Sequence, residues 1–199
     1  SRHSPNAFSL SLHAARRFPA SYWLVVVFGS VFTLARFSEA FLLLRVQGLG
    51  VRAGIVPVFY MIMNAVYALS AYPSGAISDR LGRRGVLGAG IAVLAASNLV
   101  MAVSGSPLTA ALGVAMWGLH LGLTQGILAS LVADTSPEDL KGSAFGLFSL
   151  ASGAAMLAAS LTAGLLWDLW GPQATFFAGA CFAAVSLVGF AASAPRTAG

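Results

Sequence analysis

The chain is expected to be an all-α membrane protein with six spanning helices, and three observations point there. It is 58% hydrophobic and only 9% charged, with a mean hydropathy of +0.84, whereas a soluble domain carries about 25% charged residues. Its apolar residues run in unbroken stretches, as from Ile91 to Ala96, instead of alternating over about ten positions as a membrane barrel requires. Several stretches also reach the roughly 20 residues that a helix rising about 1.5 Å per residue needs to cross a hydrocarbon core about 30 Å thick. A water-soluble enzyme, a nucleic-acid-binding domain and a disordered tail all fit this composition poorly. The pI of about 10.2 reflects 11 basic residues against 6 acidic ones, without the basic stripe and interleaved aromatics that nucleic acid would call for. The single Cys181 precludes an internal disulfide and a Cys cluster for zinc. No metal or other cofactor is expected.

Taken in order, residues 1–21 form a polar, basic lead. The apolar run that follows is too long for a signal peptide and holds Arg36 and Glu39. Span one is read over 22–44 and ends at Gln47-Gly48-Leu49-Gly50. Span two covers 55–77 and span three 86–103. Ser104-Gly105-Ser106-Pro107 makes a very short link to span four, 108–133. Ser136-Pro137-Glu138-Asp139 leads into span five, 142–167, and Gly171-Pro172 precedes span six, 174–194. The bundle is therefore 22–194, with a tail at 195–199. Arg2, Arg16, Arg17, Arg80, Arg83, Arg84, Lys141 and Arg196 fall on one side of these spans, and only Arg45 and Arg52 on the other. The positive-inside rule then places both termini in the cytoplasm.

The connector between spans two and three reads Gly75-Ala76-Ile77-Ser78-Asp79-Arg80-Leu81-Gly82-Arg83-Arg84. Gly75 is expected to let two helices approach, and Gly82 to permit a tight turn. Asp79 is placed to face a helix N-terminus, where backbone N–H groups favour an anion, and the arginines suit carboxylates. This segment resembles the cytoplasmic signature of the major facilitator superfamily, with Ile77 where that pattern usually has Leu. Asp134-Thr135-Ser136-Pro137-Glu138-Asp139-Leu140-Lys141-Gly142 is similar to the family's corresponding second link. The resemblance implies a six-helix half built of two inverted three-helix repeats, and a cytoplasmic latch formed by Asp79, Arg80, Arg83, Asp134 and Glu138. The alternative is a solvated loop whose exposed ion pairs contribute about 0–1 kcal/mol each. Gln125-Gly126 also matches a family pattern, but Gly122 stands where an Arg is usual in the N-terminal half. With the basic lead and the absent initiator Met, this favours the C-terminal half, residues 1–21 then being an inter-half linker.

Polar residues inside the spans are the candidate site. Arg36 and Glu39 lie three apart in span one and are expected to share a helix face and point at each other in a wet cavity. Either charge left alone near mid-membrane costs about 2.5–3.5 kcal/mol. Glu39 reads as proton acceptor or cation ligand, with Arg36 tuning it or holding an anion; the alternative is a structural ion pair. Tyr60, Asn64 and Tyr67 form one stripe of span two, suited to lining a cavity or to hydrogen bonding between helices. Trp117, His120 and Thr124 form another in span four, where His120 is a candidate for proton coupling or a packing residue. In span five, Gly142, Gly146, Ser149, Gly153, Ser160 and Gly164 read as a close-packing face.

The function implied is a secondary transporter in a bacterial inner membrane, not an enzyme. It would move a small solute by alternating access, with proton coupling, alongside a second six-helix half from a longer chain or a partner. No nucleotide-binding loop is present. A non-transporting scaffold or receptor is the alternative. An intramembrane protease fits less well, since no serine has the elbow pattern.

Overall fold

The computed structural model describes residues 17–192. Among them there is no strand. Helix α1 spans Ala20–Leu34, α2 Ala40–Gly48, α3 Val56–Leu81, α4 Arg83–Val103 and α5 Pro107–Thr135. A 3-10 turn at Glu138–Leu140 leads into a helical run over Lys141–Ala192. Gly171, at φ 84°, breaks that run into α6 (141–170) and α7 (172–192). The tail at 195–199 and most of the basic lead lie outside the described residues.

Three helical stretches are long and apolar enough by themselves to cross a membrane: Arg83–Val103, Pro107–Thr135 and the kinked run Glu138–Ala191. Helix α1 is apolar but shorter. Helix α3 has 26 residues but carries Asn64, Ser70, Ser74 and Ser78.

The ends of the helices follow from local chemistry. Gly82 alone separates α3 from α4, at φ 79°, a backbone geometry that favours glycine. Ser106 and Thr109 form a capping box at the start of α5, each side chain accepting the other's backbone N–H at 3.2 Å, with Pro107 at the first helical position.

One element departs from the sequence reading. The first span is not a continuous helix: residues 35–39 lie between α1 and α2, with 36–38 in no regular structure. Arg36 and Glu39 therefore do not share a helix face. The segment contains neither Pro nor Gly, so its cause is tertiary. Phe37 is buried and inserts its ring against Trp117 and Phe176, with centroids 5.6 and 5.4 Å away. Gly179 makes room for it, since a Cβ there would lie 2.9 Å from the Phe37 ring. The amide freed by the break is caught from α6: Ser38 N–H donates to Ser160 Oγ at 3.1 Å.

Close approach also builds the rest of the core. Gly118 and Gly122 of α5 press against Met63 and Ser70 of α3, and Ser74 Oγ donates to the Gly122 carbonyl at 2.6 Å. Ser97 of α4 donates to the Gly113 carbonyl at 2.7 Å. Lipid tails are as apolar as leucine, so such contacts, rather than escape from water, hold helices together in a bilayer. The small-residue face of α6 behaves otherwise. A Cβ at Gly142, Gly146 or Gly153 would meet nothing within 4 Å, and one at Gly164 only Phe41 at 3.9 Å. At Gly142, Gly146 and Gly153 this face is open among the described residues, contrary to the expected close packing, whereas Ser38 reaches it at Ser160 and Phe41 of α2 at Gly164. Gly75 likewise meets nothing.

Candidate functional site

The unwound segment opens onto a cavity of about 400 Å³ lined by Arg36, Ser38, Glu39, Leu43, Tyr60 and Met156, among others. Arg36 and Glu39 are half-buried, and among the described residues neither makes an ion-pair contact. The cavity thus joins two opposite charges from the break with a phenol from the first turns of α3. Apart from Ser38, its remaining wall is apolar: Phe37, Ala40, Leu43 and Met156.

The other intramembrane candidates are placed elsewhere. Asn64 is exposed and donates to the Tyr60 carbonyl at 2.8 Å, one turn back on its own helix. Tyr67 is half-buried against the core. His120 is fully buried. Its Nδ1 donates to the Gly90 carbonyl at 2.9 Å, which leaves Nε2 as the acceptor. The rings of Phe32 and Trp117 stand 5.4 and 6.3 Å from it. Thr124 hydroxyl donates to the His120 carbonyl at 2.9 Å. These are the contacts of a packed, hydrogen-bonded residue, and none of Asn64, Tyr67 or His120 lines the cavity.

At the opposite end of α3 lies the charged hairpin. Arg83 Nη1 meets the Asp134 carboxylate, tying the α3–α4 turn to the end of α5. Arg84 donates to the Phe190 carbonyl at 3.1 Å and holds its guanidinium 4.9 Å from the centre of the Phe190 ring. Glu138 pairs locally with Lys141 at 2.7 Å rather than reaching across. Asp79 and Arg80 are exposed, and no ion pair joins them to other described residues. Asp139, which sequence reasoning passed over, pairs with Arg17 at 2.9 Å.

Two further residues escaped notice. Arg45, by sequence an outer-side charge, is buried and donates to the carbonyls of Met101 at 3.3 Å and Ser104 at 2.7 Å. It thereby closes the carbonyl end of α4, where a cation also suits the helix dipole. Its signal was an arginine directly after the apolar run Ala40 to Leu44. The other is Phe37, an aromatic flanked by charges inside a span. No group of three or more His, Cys, Asp or Glu side chains among the described residues is arranged to hold a metal.

A helical bundle with apolar stretches of membrane-crossing length, a charged hairpin at one end and a half-buried charge pair within is a multi-pass integral membrane protein. The family model for the Major Facilitator Superfamily matches residues 47–198, and the chain belongs to that family. An uncharacterized MFS-type transporter of Methanocaldococcus jannaschii is 34% identical over 177 residues, covering 86% of this chain and 44% of that protein. Uncharacterized proteins of Mycobacterium tuberculosis and Mycobacterium bovis are 29% identical over 152 residues, covering 76% of this chain and 37% of theirs. The chain thus spans less than half the length of these relatives. The family is one of transporters rather than enzymes, so the protease alternative falls.

Proposed function

We propose that this chain is one six-helix half of a secondary active transporter, moving a small solute by alternating access with proton coupling. The observation that carries the reading is the unwound segment 35–39 and the charges it presents to a cavity. Non-helical backbone at membrane depth is tolerated where it is buried in protein or lines a cavity. Broken helices are also how transporters form midplane sites. Glu39 takes up and releases the proton. Arg36 offsets the Glu39 charge or holds an anionic part of the solute, and Tyr60 contributes a hydrogen-bonding wall. Asn64 and Tyr67 extend the polar side of α3 from this site, while His120 is a packing residue outside the relay.

In this reading α1 and α2 together make one broken span, and α3, α4, α5, α6 and α7 make the other five, arranged as two inverted repeats of three. Both termini face the cytoplasm of a cell with an inner membrane. Arg83 and Asp134 form the latch there, with Asp79, Arg80 and Glu138 as further charges for a second half. That half covers the small-residue face of α6 and the exposed side of α3.

The test uses the complete transporter in proteoliposomes holding a pH-sensitive dye, challenged with a panel of solutes. Glu39→Gln is expected to abolish solute-linked proton movement and Glu39→Asp to retain it. Unchanged coupling in Glu39→Gln would remove Glu39 from the mechanism. Ser78→Cys in a Cys181→Ser background should react with an impermeant maleimide only after the cells are opened; labelling of intact cells would reverse the orientation.

A further inference from the structure

A second, larger hollow lies away from the charge pair. It is a groove of about 790 Å³ between α1, the start of α4 and the last turns of α7. No residue of α3 or α6 lines it, so it is separate from the surfaces assigned above to a second half. Its shaft is apolar and open: Leu24 and Val185 are each 70% exposed. At one end stand Arg83 and Arg84, adjacent in sequence and both exposed. Asp134 neutralises the first of these charges, and the second rests over Phe190.

We propose that this groove seats one anionic phospholipid from the leaflet on the hairpin side, with an acyl chain along α1 and the phosphate at the arginine end. Length and charge both argue for that occupant. From Leu24 to Leu34 the wall runs ten residues of helix, about 15 Å, which is one leaflet of a core about 30 Å thick. A cationic mouth on an apolar shaft is complementary to a headgroup phosphate above a hydrocarbon chain, and basic pockets between membrane helices take such headgroups. Gly189 is part of the lining, and a Cβ there would meet nothing within 4 Å. The space in front of it is thus available to the lipid. The proposal rests on the orientation above only for which leaflet supplies the lipid.

Native mass spectrometry of the detergent-purified full protein tests it, with phosphatidylglycerol and phosphatidylcholine of identical chains added in turn. Phosphatidylglycerol, net anionic where phosphatidylcholine is zwitterionic, should be retained about fivefold better, the value of roughly 1 kcal/mol per basic residue near an anionic lipid surface. Gly189→Leu, which fills the shaft, and Arg84→Gln, which removes a charge, should each lower its occupancy about fivefold, with Arg84→Lys keeping most of it. Val185→Trp serves as the blocking variant if Gly189→Leu does not give monodisperse protein. Equal retention of the two lipids overturns the proposal. So does a Gln variant that loses binding while the blocked groove does not, because the headgroup would then adsorb without the groove. Binding is read without transport, so a protein that retains phosphatidylglycerol but moves no solute would refute the transport reading alone.

Discussion

Helices α5 and α6 carry the same kind of residue at similar spacing, and the molecule treats them in opposite ways. On α5, Gly113, Gly118 and Gly122 are pressed against neighbours; a Cβ at Gly113 would stand 2.6 Å from Met101 Sδ, and Gly118 abuts the backbone of Met63. On α6, Gly142, Gly146 and Gly153 face open space. A small residue in a membrane helix permits close approach, but it does not name the helix that approaches. The crowded face was satisfied by this chain. The empty one is the same device with no counterpart among the described residues.

Pushing on the crowded face should give the largest effect. Gly118→Leu drives a side chain into the α3 backbone, where no flexible group can yield. Overpacking costs about 1–3 kcal/mol and more where backbone must move, so this variant is expected to lose its monodisperse peak in size-exclusion chromatography. A normal elution profile and melting temperature would break the contrast. Gly179→Ala is a milder probe at a crowded glycine on α7. Its Cβ would meet Asn98 Oδ1 at 2.5 Å and the Phe37 ring at 2.9 Å. A loss of about 1–3 kcal/mol is expected, read as a lower melting temperature in detergent. It should be accompanied by greater maleimide access to a cysteine at Ser38, because Phe37 anchors the unwound segment. The smallest change in stability is expected from Gly153→Leu, within about 0.5 kcal/mol as at other unpartnered surface sites. If the proposed second half covers this face, the effect should appear instead in assembly, as lost cross-linking to that half. A large drop in melting temperature with cross-linking intact would show that the α6 face is filled from within.

The same contrast explains what the sequence made legible. Helix limits were readable because apolar run length and turn chemistry are local. The reading 86–103 lies within Arg83–Val103 and 108–133 within Pro107–Thr135, and Gly82 and Ser106 end their helices through their own backbone and hydroxyl. The break at 35–39 was not readable, because nothing in Ala35-Arg36-Phe37-Ser38-Glu39 forbids a helix. Its causes sit more than a hundred residues away, in Ser160, Phe176 and Gly179. Periodicity put Tyr60, Asn64 and Tyr67 on one stripe but carried no information on which of them would meet the charges of another segment; only Tyr60 does. Arg45 was misjudged for the same reason, since the carbonyls it closes lie 56 to 59 residues along the chain.

The single residue between α3 and α4 has a mechanical consequence. With Gly82 as pivot, Arg83 and Arg84 stand on the α4 side of the turn, while α3, with Pro73 inside it, carries Tyr60 at its far end, about 32 Å away at about 1.5 Å per residue. A tilt of about 5° swings that far end by about 3 Å, the diameter of a water molecule, while the hinge itself hardly shifts. A small tilt at the hairpin would by this geometry change the width of the chamber beside Glu39.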